Sequence, residues 1–164
     1  MQRILSAAAL LAIATAVVAS QALAAPSKAS HNGKTVTLRL VMKEVAGNFV
    51  DNPPRQGFDA PPLIGDQFTF TSDLLTRSGK HAGVFVATCV VGRGGVKAIF
   101  LCHGFYSLKG GQIMGMAKGS DTATTQIAIV GGTGAYAGVS GNSVEVSRPG
   151  NSPFTDVTIN LVYP

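Results

Sequence analysis

The chain has 164 residues and a formal net charge of +5, from 13 basic and 8 acidic side chains. A chain of this length holds about one domain and can bury a substantial core. Because the basic residues are scattered and form no dense run, the sequence excludes a typical nucleic-acid-binding surface, and no nucleic-acid partner is expected.

The N-terminal segment has the pattern of a targeting signal. One arginine precedes a run rich in Ala, Leu, Ile and Val, and Ala22 and Ala24 fit the small-x-small rule for signal-peptide cleavage. An uncleaved anchor is the alternative, because the apolar run is nearly long enough to span a bilayer. We predict a signal peptide at 1–24, a flexible leader at 25–34, a secreted or periplasmic location, and no membrane attachment after cleavage.

Beyond the leader, short alternating or apolar runs separated by glycine-rich turns are typical of β-strands. The first run extends from Thr35 to Val45. The connection that follows, 46–65, contains two Pro-Pro pairs, which exclude regular structure. A loop of this length is unusual in a compact domain, so the part from Ala46 to Leu63 is a candidate lid.

Seven more strand-like runs follow, at Asp66 to Thr76, Ala82 to Val91, Val96 to Leu108, Gly111 to Gly119, Thr125 to Val130, Gly141 to Ser147 and Phe154 to Tyr163. Eight short sequential strands predict an all-β domain at 35–164, with the architecture of an eight-stranded antiparallel up-and-down β-barrel. A two-sheet β-sandwich is the alternative, because the pattern alone does not show closure.

A glycine-rich stretch, IAIVGGTGAYAGVSG, follows the sixth run at 127–141. A dinucleotide fingerprint would need a third glycine where Ala137 stands, and a helix after it, but an alternating Gly/Ser/Val segment follows instead. The stretch also lacks the Gly-Lys-Ser/Thr of a phosphate-binding loop. We therefore predict a tight hairpin turn at Gly131 to Gly134, with residues at positive φ, and no cofactor.

Two cysteines, Cys89 and Cys102, flank the turn between the third and fourth runs. If the chain turns near Gly95–Val96, the two side chains lie opposite each other and can form a disulfide. If it turns at Arg93–Gly94, they are staggered and remain two buried thiols. The oxidising compartment predicted for an exported chain favours the disulfide.

Four segments then resemble a known family. VGGTGAYAGVSG is similar to the Val-x-Gly-Gly-Ser/Thr-Gly hairpin of plant allene oxide cyclases and dirigent proteins, and IGDQFTFTSDLLT, ATCVV and FYSLKGGQIMGMAKGS resemble upstream strands of these families in the same order. The resemblance covers about Gly65 to Gly141 and implies an exported bacterial member of the allene oxide cyclase/dirigent-like β-barrel superfamily.

The polar machinery of these families is not preserved. The resemblance places Val41 and Ser72 where the cyclases carry a glutamate and an asparagine, and puts Glu44 at the strand's end, on the face opposite Met42. The charged dirigent segment after the glycine hairpin reads YAGVS here. True allene oxide cyclase activity is therefore not expected. Any enzymatic activity would be cyclase/isomerase-like or dirigent-like, without a cofactor.

Other catalytic patterns are missing from the sequence. His31, His81 and His103 lie in separate elements and do not have the spacing of metal ligands. Asp66 and Asp73 are interpreted as turn or outward positions, and there is no nucleophile elbow or carboxylate pair. No catalytic residue and no metal site is predicted.

Alternation places aromatic and small residues on shared strand faces, and the resemblance implies that these faces point inward. They carry the candidate ligand contacts, which are Phe68, Phe70, Ser72, Phe85, Phe100 and Tyr106. A barrel of eight strands is either filled by such side chains, which is the default, or holds one small ligand. The sequence thus supports two functions: an apolar-ligand-binding barrel that steers a cyclisation or coupling, or a non-catalytic exported scaffold of the cell envelope. Oligomers are compatible with either.

Overall fold

The computed structural model describes residues 33–52, 61–119, 122–150 and 152–164. The eight strands in these ranges are β1 (Thr35–Val50), β2 (Gln67–Thr76), β3 (His81–Arg93), β4 (Ile99–Leu108), β5 (Gly111–Gly119), β6 (Thr124–Gly132), β7 (Ser140–Ser147) and β8 (Phe154–Val162). Each strand pairs antiparallel with the next, and β8 pairs with β1, which closes the barrel.

The predicted eight-stranded antiparallel up-and-down β-barrel is therefore confirmed, and the two-sheet alternative is wrong. The predicted signal peptide and almost all of the leader lie outside the described residues. No helix within the described ranges has the length and apolar content needed to cross a bilayer.

Side-chain alternation explains why these segments form a closed sheet. In β8, the inward residues Val157, Ile159 and Leu161 are at most 2% exposed, while the residues between them are half-buried. This period of two places one set of side chains in the interior and the other set outside. Closure leaves no exposed strand edge.

A bulge lengthens β1 beyond its predicted end. Glu44 pairs with Ser72 and Ala46 pairs with Thr71, so Val45 is an extra residue on this strand. The strand resumes with reversed alternation and continues to Val50. The predicted lid therefore began too early, since its first residues belong to the barrel wall. Residues 53–60 of the lid lie outside the described ranges.

The predicted tight turn at Gly131–Gly134 is also wrong. β6 continues to Gly132, and a seven-residue connection at 133–139 with a 3-10 turn at Gly134–Tyr136 leads to β7. Within the predicted range Gly134 has the expected positive φ (59°), and Gly138, beyond that range, has another (74°). A Cβ on Gly134 would lie 2.2 Å from the carbonyl oxygen of Gly110, so only glycine fits there.

The barrel has two halves of different content. The filled half lies near the connections 77–80, 109–110 and 133–139, and the hollow half lies near the connections 94–98 and 148–153. Fully buried side chains pack the filled half, among them Leu74, Ile113, Val157, Ile159 and Leu161. The connection 133–139 contributes Val139, which is 2% exposed, to this core. Tyr106 lies where the two halves meet.

Candidate ligand-binding cavity

The hollow half contains a cavity of about 630 Å³, lined by residues of β1 to β7. Its volume results from small side chains on the inner faces of three adjacent strands. These are Ala87 and Cys89 on β3, Cys102 and Gly104 on β4, and Gly115, Ala117 and Gly119 on β5. Further along β5, in the filled half, the same inner face carries Ile113. The default expectation of a filled interior is therefore wrong for this half of the barrel.

Aromatic rings on β2, β3 and β4 form the aromatic wall of the cavity. Phe68 lies 4.7 Å from Phe49 and 5.3 Å from Phe100 between ring centroids. Phe85 lies 5.8 Å from Phe70 and 4.6 Å from Tyr106. These separations are typical of favourable tilted and edge-to-face ring pairs, which hold each other in place. The cavity thus has a preformed aromatic surface.

Five of the six predicted ligand contacts line this cavity, namely Phe68, Phe70, Phe85, Phe100 and Tyr106. The sixth, Ser72, lines a neighbouring cavity of about 250 Å³. The two cavities share Glu44, Phe70, Thr125 and Glu145 as lining residues. The structure therefore brings the predicted residues together around one interior space with a smaller, more polar extension. Their role as ligand contacts remains a prediction.

A disulfide between Cys89 and Cys102 crosses one wall of the cavity. The two residues are direct partners in the pairing of β3 with β4, with their Cα atoms 4.0 Å apart. The chain turns at 94–98, as the first alternative required, so the staggered arrangement is wrong. Since both sulfur atoms are bonded to each other, neither cysteine serves as a nucleophile.

The main polar feature of the cavity is a network of hydrogen-bonded side chains, Ser143, Tyr106 and Glu145. The Tyr106 hydroxyl donates to Glu145 Oε1 at 2.7 Å, and the Ser143 hydroxyl lies 3.2 Å from the Tyr106 oxygen. Tyr106 and Ser143 are fully buried. Because one hydroxyl has one hydrogen, Tyr106 donates to the carboxylate and accepts from Ser143.

Burial shifts the titration of both acidic groups. It raises the pKa of Tyr106 well above its ordinary value of 10.0, and the nearby charge of Glu145 adds to this shift, so Tyr106 remains a donor. Burial also raises the pKa of Glu145 above its ordinary 4.5, while the hydrogen bond from Tyr106 opposes that rise. A carboxyl group in this state can accept or donate a proton nearer to neutral pH than an exposed one.

Sequence reasoning missed Glu145 for a specific reason. In SVEVS the valines predict the inner face and the polar residues the outer face, but the structure reverses this assignment. Ser143 is fully buried, while Val146 is 42% exposed. The signal that could have identified Glu145 is the tyrosine on β4, Tyr106, because a buried phenol requires a polar partner on a facing strand.

Glu44 was predicted on the face opposite Met42, which is wrong. Residues two apart in a strand share a face, and both side chains line the smaller cavity. Val41, at the position of the cyclase glutamate, is buried in contrast to the exposed Glu44. The cavities therefore contain two carboxyl groups, Glu44 and Glu145, rather than none.

His81, His103 and Asp66 do not project buried functional groups into the cavity. His81 is exposed with its Nε2 3.6 Å from Asp73 Oδ1, and His103 borders the cavity but its side chain is exposed. Asp66 occupies a turn as predicted, but it is buried and accepts backbone N–H groups of Asn52 and Leu63. His31 lies outside the described residues. Within the described ranges, no cluster of three or more His, Cys, Asp or Glu residues could hold a metal ion.

No family model matches the chain, and no curated protein matches it in sequence. The barrel is similar to the structure of a pyocyanin demethylase, with a TM-score of 0.64 and 22% identity, covering 77% of this chain and 99% of that one. It is also similar to a nonspecific heme-binding cyclase that catalyses a cycloaddition during neoabyssomicin biosynthesis, with a TM-score of 0.65 and 15% identity, covering 83% and 70%.

A pterocarpan synthase dirigent protein gives a TM-score of 0.63 and 14% identity, covering 80% of this chain and 86% of that one. These similarities define the class of fold: the chain is a closed barrel of the kind that dirigent proteins and cycloaddition cyclases share. The predicted resemblance to the allene oxide cyclase/dirigent-like barrels is thereby confirmed for the fold.

Proposed function

We propose that this chain is an exported barrel protein that binds a small apolar molecule in its hollow half and steers the cyclisation or coupling of that molecule. The observation that carries the proposal is the cavity of about 630 Å³ with its aromatic wall. This volume lies in the range of about 300–1,000 Å³ that small-molecule sites occupy. Its shape is set by side chains already packed against each other, so a ligand would meet a largely preformed site.

Confinement in such a cavity is sufficient for the proposed activity. A cyclisation or coupling is accelerated when the reacting atoms are held close together and aligned, because the loss of translational and rotational freedom has already occurred on binding. The paired rings of Phe68, Phe85 and Tyr106 supply flat, rigid surfaces for that purpose. One of the similar structures is a cyclase that catalyses a cycloaddition, and another is a dirigent protein described as a pterocarpan synthase.

Export is part of the proposal. Disulfides persist in secreted and periplasmic proteins and are rare in the cytosol, so the bond between Cys89 and Cys102 is consistent with the predicted signal peptide. A bond between adjacent strands also holds the wall of the cavity at a fixed width. The chain would then meet its ligand outside the cytosol.

Filling the cavity tests the proposal. Ala117 lies on the inner face of β5, and Ala117→Leu adds three carbon atoms to the cavity. Ala128 lies on β6, pairs with Met116 of β5, and has a side chain on the outside of the barrel. Ala128→Leu adds the same volume there and is the matched control. Each protein is purified from its native host, and bound small molecules are extracted and identified by untargeted mass spectrometry.

We expect the wild type and Ala128→Leu to retain the same apolar molecule, and Ala117→Leu to lose it. Circular dichroism checks that the three proteins are equally folded. If Ala117→Leu retains the same molecule in the same amount, the cavity is not the binding site. If the wild type retains no more than Ala117→Leu, the proposal of a ligand-binding barrel fails.

A further inference from the structure

The charge of the cavities is opposite to the charge of the chain. The protein carries a formal charge of +5, yet no lysine or arginine of the described residues lines either cavity. Two carboxyl groups, Glu44 and Glu145, line both. The interior therefore attracts positive charge and repels negative charge, although the surface as a whole does the reverse.

Glu145 is the carboxyl group best placed to act on a ligand. Its Oε1 accepts the Tyr106 hydroxyl at 2.7 Å, which fixes the carboxyl plane, and no described residue donates a hydrogen bond to Oε2. No described basic side chain pairs with it. A partly buried carboxyl group without a basic partner is favourable only if it is neutral or if a positively charged ligand supplies that partner.

The aromatic wall suits the same kind of ligand. Phe70, Phe85 and Tyr106 line the cavity that Glu145 also borders. Aromatic faces attract cations, and the attraction is stronger where water is excluded. A flat aromatic cation would gain ring stacking and ion pairing at once. A carboxylate ligand, such as a fatty acid, would meet two carboxyl groups and no lysine or arginine of the described residues, and the His103 side chain at the cavity border is exposed.

Building on the proposed function, we propose that the ligand of this barrel is a planar aromatic molecule that carries a cationic nitrogen, with Glu145 as its counter-ion, and that the cavity excludes anionic ligands. Tyr106 is a positioning residue for Glu145. Glu44, which is exposed, adds to the negative potential at the side of the smaller cavity.

Binding of such a cation is coupled to proton release. Burial raises the pKa of Glu145, and a cation beside it lowers that pKa again, so at a pH between these two pKa values the carboxyl group loses its proton as the ligand enters. The groups that face Glu145 from the neighbouring strands are Thr125 and Val157, which do not titrate. Tyr106 and Glu44 are the titratable groups within the cavities on that side, and Tyr106 stays protonated.

The test uses three probes of nearly the same shape and different charge: N-methylacridinium, which is a permanent cation, C-methylacridine, which is neutral, and acridine carboxylate, which is an anion. Each is titrated into the oxidised protein at about pH 7.5 and followed by fluorescence and calorimetry. We expect the cation to bind about 10- to 100-fold more tightly than the neutral probe, because ion pairing with Glu145 and cation–π contact with the aromatic wall both favour the charged ring system. We expect no binding of the anion.

Glu145→Gln should lower the affinity for the cation to that of the neutral probe and leave the neutral probe unaffected. Asp156→Asn is the matched control, because it removes one negative charge from an exposed residue that pairs with Arg148 outside the cavities. It should retain the preference for the cation. Calorimetry of the wild type in buffers of different ionisation enthalpy, at a series of pH values from about 4.5 upward, should show proton release on binding of the permanent cation in the pH range through which Glu145 titrates. This measurement does not depend on the folding of any variant.

The outcomes separate the two proposals. If the neutral probe binds as tightly as the cation, or if cation binding releases no proton at any pH of the series, the proposed charge selectivity is wrong while a ligand-binding barrel stands. If none of the three probes binds, the proposed cationic aromatic ligand is wrong, and the ligand-binding barrel is then judged by the comparison of wild type with Ala117→Leu alone. If Asp156→Asn abolishes the preference as fully as Glu145→Gln, the effect comes from overall charge, and Glu145 is not the counter-ion.

Discussion

The filled and hollow halves of this barrel are made by the same eight strands with different side chains. On the inner face of β5, Ile113 fills the first half, whereas Gly115, Ala117 and Gly119 leave space in the second. The backbone pairing of β4 with β5 continues through both halves without interruption. Closure of the barrel therefore depends on hydrogen bonding and on one packed half, so the other half can contain a cavity.

The two halves should differ in how strongly they respond to truncation, and this comparison gives the largest expected effect. Ile159→Ala removes a fully buried side chain from the filled half and should cost about 2–5 kcal/mol of the free energy of unfolding. Phe68→Ala removes a partly exposed ring from the hollow half and should cost about 1 kcal/mol. Denaturant titration of both variants measures the difference. Equal losses would show that the hollow half is as tightly packed as the other.

The disulfide should stabilise the hollow half by a slightly smaller amount. Cys89 and Cys102 are separated by 13 positions, and closing a loop of this size contributes about 3 kcal/mol, chiefly by restricting the unfolded chain. We expect the double variant Cys89→Ser with Cys102→Ser to lose about that much in denaturant titration. Wild type treated with a reductant should match the variant. A variant as stable as the oxidised wild type would show that strand pairing alone holds this wall.

The smallest effect concerns pH and Glu145. Its pKa is raised above 4.5 in the folded state by burial, so the folded protein holds this proton after the unfolded chain has released it. Stability from this group is therefore complete below about pH 4.5 and is lost as pH rises through the raised pKa, by at most about 1.4 kcal/mol per pH unit.

The measurement for Glu145 is thermal unfolding at about pH 4.5 and about pH 8, compared between wild type and Glu145→Gln. The variant should lose less stability between these two values than the wild type does. Tyr106→Phe should make the loss larger, because the hydrogen bond from Tyr106 lowers the pKa of Glu145. Identical pH profiles for all three proteins would mean that the carboxyl group is as hydrated in the fold as in the unfolded chain.

Local patterns in the sequence were enough to predict most of the fold. Glycine turns and alternation placed β5 at its observed bounds, and eight sequential strands predicted the closed barrel. The errors fall where the period of two is broken. The extra residue Val45 hid the last part of β1, and a 3-10 turn widened the connection before β7. Neither feature follows from residue spacing alone.

The site was predictable only in part. Alternation grouped the predicted ligand contacts on shared strand faces, and the family resemblance predicted that the faces point inward. Five of them line the cavity, namely Phe68, Phe70, Phe85, Phe100 and Tyr106. The existence of a cavity was not predictable, because its volume depends on small residues of three strands adding together across the barrel. Glu145 was missed because the valines beside it have the stronger preference for the interior.

The bulge in β1 bears on how natural variants of this barrel can change in length. Deleting one residue from a regular strand turns every side chain beyond it to the other face of the sheet. Val45 is the exception in β1, since the residues on either side of it, Glu44 and Ala46, already pair with adjacent residues of β2. Its deletion would leave those pairs in register and keep Phe49 beside Phe68. A homologue shorter by one residue at this position would therefore conserve the cavity wall.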